Sequence, residues 1–243
     1  MKLASFKNSA VSGIKVFKPI QYLFVKGSFS NDITTVKMRV RLVSSESGRI
    51  DEIVPLLCVD VLGEISSMNE GHFHKDKGTG DFALNVMLHP TSAVYLSNDR
   101  YLEIDIQGLD ATKETTIYGI ETPVVDKDFL CRYNKFYMSA GELQKTFSVG
   151  ENENLVLPVS SFEEVTLHYK NGASCSYTKD ELQAIMMSKN DLVCVPGNSV
   201  DGGFVCGYAS MYGLDVSDVA DFTIRRTVAM EAFEFVLMDT VKE

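Results

Sequence analysis

The sequence predicts an all-β protein in which a sandwich unit occurs twice, each copy with one short helix. Segments of alternating apolar and polar residues recur along the 243-residue chain, and this two-residue period is typical of half-buried strands. The order strand, turn, helix occurs in both halves. Each copy then closes on a strongly alternating strand. The inward residues predicted for the two closing strands are Leu102, Ile104, Ile106, Phe233, Phe235 and Leu237.

The N-terminal 29 residues fall into two parts. Residues 1–13 are polar and rich in serine and lysine, so we expect an N-terminal arm. Residues 14–29 are apolar and aromatic, which predicts two short strands. The break between them is expected at Pro19, because proline cannot donate to a strand ladder.

The first copy begins with an alternating strand over residues 36–42. A turn is expected at Ser47-Gly48. Apolar residues then recur every three or four positions from residue 54 to residue 68, which predicts a helix that Asp51 can cap. Pro55 is compatible with a helix only near its start. β-Branched residues and Gly63 weaken the helix prediction.

The second copy lies between residues 162 and 190 and has clearer signals. Asn171-Gly172 predicts a tight turn, because both residues tolerate positive φ. Thr178 and Glu181 have the spacing of a capping box, in which each side chain bonds the other residue's amide. A short helix is expected to follow. The apolar positions of the predicted strand and helix are Val165, Leu167, Tyr169, Leu182, Ile185 and Met186.

The remaining segments complete the prediction of two domains. Residues 70–80 are glycine-rich and charged, which predicts a loop, and residues 121–128 are the expected linker. Further strands are predicted at residues 82–88, 101–107, 115–120 and 155–159, with strand-compatible segments over 129–149. The predicted divisions are an arm at 1–13, a first domain at 14–122 and a second at 123–243.

The chain has a net charge of −10, from 23 basic and 33 acidic residues. Phosphate contacts need clustered cations, so a general nucleic-acid-binding role is not expected. Residues 1–31 nevertheless contain five lysines and no acid. This segment could face an anionic surface such as lipid headgroups or a packaged genome, or it could be a solvated tail.

Compartment and redox state are predicted from the cysteines and from hydropathy. The five cysteines are scattered and form no CxxC pair, which favours reduced thiols and cytoplasmic synthesis over a disulfide framework. No signal peptide is expected, and no apolar run approaches the roughly 18 residues of a membrane span.

The candidate chemistry is sparse. His72 and His74 have the HxH spacing that presents two imidazoles on one side of a strand, which suits zinc or iron. The flanking lysines oppose a bound cation, so these residues are weak metal candidates and a solvated loop is the favoured interpretation. No nucleophile elbow or phosphate-binding glycine loop is present. We therefore expect neither catalysis nor a cofactor.

The order of these motifs resembles that of the double jelly-roll major capsid proteins of tailless icosahedral viruses, the adenovirus hexon-like lineage. The small capsid proteins of lipid-containing bacteriophages are similar in size. The matching segments are VKMRVRL, DEIVPLLCVDVLGEISSMN, FALNVMLHP and RYLEIDIQG in the first half and FEEVTLHYKNG, TKDELQAIMMSKN and AFEFVLMDTV in the second.

This resemblance implies two tandem eight-stranded jelly-rolls and a structural role in the virion. The chain would form homotrimers that act as pseudo-hexagonal capsomers of an icosahedral bacteriophage capsid. Its partners would be other copies, other virion proteins such as a penton or spike, and an internal membrane or the genome. The basic N-terminal arm, with Lys2, Lys7, Lys15 and Lys18, would lie at the inner surface.

Two other functions remain open at this point. A spike or a receptor- or carbohydrate-binding sandwich would carry exposed aromatic residues on one face or rim. An enzyme on a jelly-roll scaffold would depend on the His72 and His74 pair. The absence of tryptophan counts against the first alternative. Asp76 could supply a third ligand for the second, but the lysines that flank it count against a bound cation.

Overall fold

A computed structural model describes residues 1–68, 73–76, 78–126, 129–158, 161–189, 194–196, 204–206 and 211–242. The strands of the first half form two antiparallel sheets, with the orders β1-β9-β3-β7-β6 and β2-β8-β4-β5. The elements are β1 (Lys2–Phe6), β2 (Ala10–Val16), β3 (Tyr22–Ser28), a 3₁₀ turn (Ile33–Thr35), β4 (Lys37–Ser44), β5 (Arg49–Cys58), α1 (Val59–Met68), β6 (Phe73–Asp76), β7 (Asp81–Met87), β8 (Arg100–Gln107) and β9 (Thr115–Ile120).

The second half also forms two four-stranded antiparallel sheets, with the orders β10-β19-β12-β17 and β11-β18-β13-β14, and a separate β15-β16 hairpin. The elements are β10 (Phe129–Met138), β11 (Gln144–Ser148), β12 (Asn154–Pro158), β13 (Glu164–Tyr169), β14 (Ser174–Thr178), α2 (Lys179–Lys189), β15 (Cys194–Pro196), β16 (Phe204–Cys206), β17 (Met211–Asp215), β18 (Val219–Arg225) and β19 (Phe233–Lys242).

Each half has the strand order of a jelly-roll. When β6 and the β15-β16 hairpin are set aside, each half has eight strands, paired as first-eighth-third-sixth and second-seventh-fourth-fifth. The first strand of the fold therefore pairs with the last, as Lys2 does with Tyr118. This is the double Greek key of a jelly-roll. The predicted all-β fold of two tandem eight-stranded jelly-rolls, each with a short helix, is confirmed.

The predicted repeat is present with one strand added in each copy: a hairpin leads into a helix as β4-β5-α1 and as β13-β14-α2. The first helix is also shorter than predicted. Residues 49–58 form β5, and α1 begins only at Val59. β5 is an edge strand, and the register with β4 shifts between Leu57 and Val54. Pro55 lies in this bulge, where its missing N–H costs no ladder bond. The apolar spacing over residues 51–58 reflects a bulged strand.

The closing strands of the two copies also correspond differently from the prediction. β8 contains Leu102, Ile104 and Ile106, and its equivalent in the second half is β18, since both are the seventh strands of their rolls. β19 contains Phe233 and Phe235 and corresponds to β9. Both β8 and β19 alternate because both cover a core, so hydropathy alone does not distinguish them.

The second helix begins as predicted. The Thr178 amide donates to Glu181 Oε2 at 2.8 Å, and the Glu181 amide donates to Thr178 Oγ1 at 3.4 Å. Leu182 on α2 is fully buried against the core, and Ile185 packs partly against it. The side chain of Met186 lies outside the described residues.

Residues 1–13 do not form an arm. Residues 2–6 are β1, hydrogen-bonded to β9, and residues 10–16 are β2, which pairs with β8. Leu3 and Ile14 are half-buried. The polar composition was misleading because both strands carry their polar residues on an exposed face, so that few apolar anchors are visible in the sequence.

The chain forms two compact units, one of Met1–Lys135 with Met238–Glu243 and one of Phe136–Leu237. The first encloses side chains such as Leu23, Val40 and Ile104, all fully buried. The second is built on aromatic residues, with Phe147, Phe222 and Phe235 in mutual ring contact. The domain boundary predicted after residue 122 lies between β9 and β10.

In the part of the chain that the structure describes, neither helix is long and apolar enough to cross a membrane.

Candidate functional site

The lysines predicted to form one basic surface are distributed over two sheets. Lys2 lies on β1 and Lys15 on β2, which belong to different sheets. Lys7 follows β1 and Lys18 follows β2, and all four side chains are exposed. The structure therefore does not bring Lys2 and Lys15 together on one sheet.

Three of these lysines, Lys2, Lys7 and Lys15, lie close to oppositely charged or aromatic side chains of the chain. Lys2 and Lys7 lie near Glu114, whose pKa is lowered first by a hydrogen bond from the Ser5 hydroxyl and then by the Lys2 charge. Lys15 places its Nζ 4.8 Å from the centre of the Tyr101 ring, a cation–π contact. Part of this positive charge is thus engaged within the chain.

Of the two predicted metal candidates, the structure describes His74 alone. His72 lies outside the described residues, and His74 is exposed on β6 opposite Ala83 of β7. Asp76 Oδ1 accepts from the Gly78 amide at 2.8 Å, so it serves a turn, and this bond lowers its pKa. Among the residues that the structure describes, no three His, Cys, Asp or Glu side chains are placed to hold a metal.

One contact between a serine and a histidine bears on the enzyme alternative. Ser92 Oγ lies 3.3 Å from His89 Nε2, and both side chains are buried. His89 Nδ1 accepts from the Thr91 and Ser92 amides at 3.2 and 3.0 Å. The neutral imidazole must then carry its proton on Nε2, and burial lowers the pKa of His89. In this arrangement His89 cannot accept a proton from Ser92. The hydrogen bonds instead hold the loop of residues 89–92 in place.

A charged network covers the outer face of the sheet β2-β8-β4-β5. Arg39 pairs with Asp105, and Arg41 donates to Asp105 Oδ2 at 3.1 Å and bonds Glu103. The Gly13 amide donates to Asp105 Oδ1 at 2.9 Å. Burial raises the pKa of Asp105, but the hydrogen bonds from Arg39 and Gly13 and the guanidinium charges outweigh burial and lower it. The network ties β2, β4 and β8 together.

The outer face of the equivalent sheet in the second half is lined by hydroxyl groups. Thr146 and Thr223 bond each other at 2.8 Å, and Thr223 Oγ1 lies 3.1 Å from His168 Nε2. His168 Nδ1 then bonds Ser174 Oγ at 2.9 Å. One chain of side-chain hydrogen bonds thus crosses β11, β18, β13 and β14. These groups satisfy one another, which lowers the cost of covering this face.

Two acidic side chains, Asp60 buried and Glu64 half-buried, lie where α1 packs on β6. Asp60 is almost fully buried and pairs with Lys75 Nζ at 2.6 Å. Glu64, one turn further along α1, has its pKa raised to about 7 by burial and then by Asp60, against the opposing Lys75 charge. The Phe73 ring of β6 lies so close to Gly63 that a Cβ there would be 2.4 Å from it. This approach requires the glycine that weakened the helix prediction.

Arg226 holds three loops together at one end of the second jelly-roll. Its guanidinium donates to the carbonyl oxygens of Ser161 at 3.0 Å, Ser139 at 3.4 Å and Glu231 at 3.0 Å. The guanidinium also lies 4.8 Å from the Phe233 ring centre. A cavity of about 690 Å³ lies beside these loops. Its lining is Ala140, Gly141, Ser161, Ala229, Met230, Glu231, Ala232 and Phe233.

Sequence reasoning did not identify Asp105 or Arg226 as organising residues. Asp105 is in the outward phase of β8, so the alternation indicated its face but not its partners. Arg226 carries no comparable signal, since its three acceptors are carbonyl groups in separate loops.

Comparison with solved structures shows the fold. The major capsid protein of bacteriophage PM2 is similar over 100% of this chain and 97% of its own, with a TM-score of 0.58 and 12% identity. The PBSX exported protein XepA is also matched, at a TM-score of 0.25 and 12% identity over 100% of this chain and 86% of its own, too low for any conclusion. No protein-family model and no curated protein sequence matches the chain.

Proposed function

We propose that the chain is a structural subunit of a bacteriophage shell, a major capsid protein that assembles as trimeric, pseudo-hexagonal capsomers into an icosahedral capsid. One observation carries the proposal: the jelly-roll order occurs twice, and a phage major capsid protein shares the fold over nearly its whole length. A trimer of such chains presents six similar rolls around a three-fold axis, which suits hexagonal packing.

This role specifies partners and a location. The partners are other copies of the chain first, then other virion proteins such as a penton or spike. An internal membrane or the packaged genome would meet the lysines near the N-terminus, at Lys2, Lys7, Lys15 and Lys18. The chain would be made in the host cytoplasm and reside in the virion. The role needs no catalysis, metal or cofactor.

The native mass of the purified chain tests this proposal. A 27.0 kDa chain gives a trimer of about 81 kDa, three times the chain mass. We expect this mass by sedimentation and, under assembly conditions, particles with pseudo-hexagonal surface units in electron micrographs. A chain that stays monomeric at high concentration would contradict the capsid role.

The receptor- or carbohydrate-binding alternative has one observation in its favour. Among the described residues of the second unit, the exposed large apolar ones are Tyr137, Leu143 and Val228. Leu143 and Val228 belong to the loops that Arg226 joins. A monomer that binds oligosaccharides, measured by calorimetry and lost on Tyr137→Ala, would favour this function over the capsid role.

A further inference from the structure

The two equivalent edge strands, β5 and β14, differ in how they are protected. An edge strand exposes unpaired N–H and C=O groups that can pair with another chain, and charges, prolines or bulges usually prevent this. β5 has all three: an Arg49–Asp51 ion pair at 2.8 Å, Pro55 and two register shifts against β4. Pairing of β5 with another chain is thus opposed.

β14 has none of these features. Its sequence is Ser-Cys-Ser-Tyr-Thr, without charge or proline, and it pairs with β13 without a register shift. Four of its five residues are exposed, and Tyr177 is half-buried. No strand is hydrogen-bonded to its other side in the described part of the chain. β14 is therefore open to a further strand.

The register shows which backbone groups face β13. The Tyr169 amide donates to the Ala173 carbonyl at 2.8 Å. Hydrogen-bonded pairs recur at every second residue of an antiparallel ladder. Cys175 and Tyr177 are therefore the next residues of β14 whose backbone groups bond to β13. The residues between them direct their N–H and C=O groups away from β13.

These outward residues are Ser174, Ser176 and Thr178. The outward direction is visible at Thr178, whose amide donates to Glu181 Oε2 in the capping box at 2.8 Å. Ser174 and Ser176 each direct one donor and one acceptor out of the sheet. Their hydroxyls already bond His168 and Thr166, so the side chains do not compete for these backbone groups.

We propose that β14 pairs with β14 of a second copy of this chain, antiparallel and across a two-fold axis at Cys175. Ser174 of one copy then lies opposite Ser176 of the other, and each such pair exchanges two hydrogen bonds. An axis at Ser176 would instead place Ser174 opposite Thr178, whose amide is already used. The result is one continuous sheet across two copies.

Charge favours this edge for the approach of a second copy. Residues 136–237 contain 6 basic and 14 acidic residues, so two such units repel each other. β14 itself is uncharged, and at its end Glu164 is paired with Arg225 at 3.0 Å. The inference rests on the proposed function in one respect, that many copies of the chain come together. A closed icosahedral shell needs two-fold contacts between its capsomers, and the β14 contact would be one of them.

Cys175 provides the experiment. In the proposed register it lies opposite the Cys175 of the other copy, in a non-hydrogen-bonded pair with Cα atoms about 4.5 Å apart, within the range of a disulfide. Its thiol is exposed. Copper(II)–phenanthroline takes two electrons from the two thiols, two protons leave, and the S–S bond forms. We expect a covalent dimer of about 54 kDa, twice the 27.0 kDa chain, under assembly conditions and none with Cys175→Ser.

Two further variants separate the edge contact from random thiol collision. Ser176→Pro removes an outward N–H and should lower the dimer yield at least about fivefold, since proline blocks edge pairing. Ser174→Lys should lower it as well, by placing a charge on the edge. The matched control is Ser47→Lys, which changes an exposed serine in the β4-β5 turn and should leave the yield unchanged. Circular dichroism checks that each variant is folded.

The outcomes distinguish this contact from the capsid role. Equal dimer yield in the wild-type chain, Ser176→Pro and Ser174→Lys would overturn the β14 contact. Trimers or shells that give no Cys175 cross-link would also overturn it and leave the capsid role standing. A chain that sediments as a monomer throughout would overturn both.

Discussion

Asp105 Oδ2 accepts two hydrogen bonds from the Arg39 guanidinium, from Nε at 2.9 Å and from Nη2 at 2.6 Å. The side chain of Asp105 is only 11% exposed, so this fork-like contact is largely shielded from water. Charge-assisted bonds of this geometry are stronger than neutral ones. The pair joins neighbouring strands β4 and β8, whose residues here are 66 positions apart.

Asp105→Asn should therefore destabilise the fold by about 2 kcal/mol at pH 7, because it leaves the Arg39 guanidinium without its anion and Arg41 with Glu103 alone. The pKa of Asp105 is lowered in the folded state, so its contribution is present above the unfolded value of about 3.9 and is lost as pH falls through the folded value. Urea unfolding at pH 7 and pH 2.5 measures this. The variant and wild type should differ at pH 7 and converge at pH 2.5, while Glu46→Gln, in an exposed turn, should change little at either pH.

Glu64→Gln should stabilise the protein at pH 8 and have no effect at pH 4. Burial raises the pKa of Glu64 from its usual 4.5 to about 7, so between these values the folded chain binds the extra proton and stability falls as pH rises. The expected gain at pH 8 is about 1–2 kcal/mol, or several degrees in Tm. Thermal unfolding at both pH values measures it, and an equal gain at pH 4 would assign the effect to something other than ionisation.

Adjacent arginines should differ sharply in their effect on stability. Arg226→Ala removes three hydrogen bonds to carbonyl oxygens and should cost about 3 kcal/mol. Arg225→Ala removes an ion pair with Glu164 in which the arginine side chain is 54% exposed, and should cost less than about 1 kcal/mol. Chemical denaturation of both variants tests the contrast. Equal losses would mean that Arg226 does not hold the loops.

Gly108→Ala should be much more damaging than Gly48→Ala. Both glycines have positive φ, +81° and +66°, so each alanine pays a conformational cost of about 1 kcal/mol. A Cβ at residue 108 would also lie 2.1 Å from the Thr35 carbonyl oxygen, whereas Gly48 has nothing within 4 Å. We expect a loss above about 3 kcal/mol for Gly108→Ala, measured by thermal unfolding. A loss matching that of Gly48→Ala would show that the backbone at Thr35 yields.

The sequence predicted those strands and caps that depend only on residues close together in the chain. The strands at residues 82–88, 101–107 and 115–120 were found within one residue of β7, β8 and β9, because alternation depends only on neighbouring side chains. The Thr178–Glu181 capping box spans four residues and was found for the same reason. α1 was extended too far because a bulged strand with Pro55 imitates helical spacing.

The features of the candidate site depend on pairing between distant segments. The bond from Arg39 to Asp105 requires that β4 and β8 be neighbours, and the sequence contains no signal for that register. The same holds for the assignment of Lys2 and Lys15 to different sheets. The open edge at β14 follows from its position last in the sheet order, which hydropathy does not encode.

The residues at the end of β19 have a consequence for how the chain acquires its structure. Residues 238–242 belong to the compact unit that begins at Met1, although residues 136–237 form the other unit. A nascent chain therefore cannot complete its first unit until residues 238–242 have been synthesised. By that point the whole of the second unit, residues 136–237, has already been synthesised. The unit that begins first along the chain is thus the last to be completed.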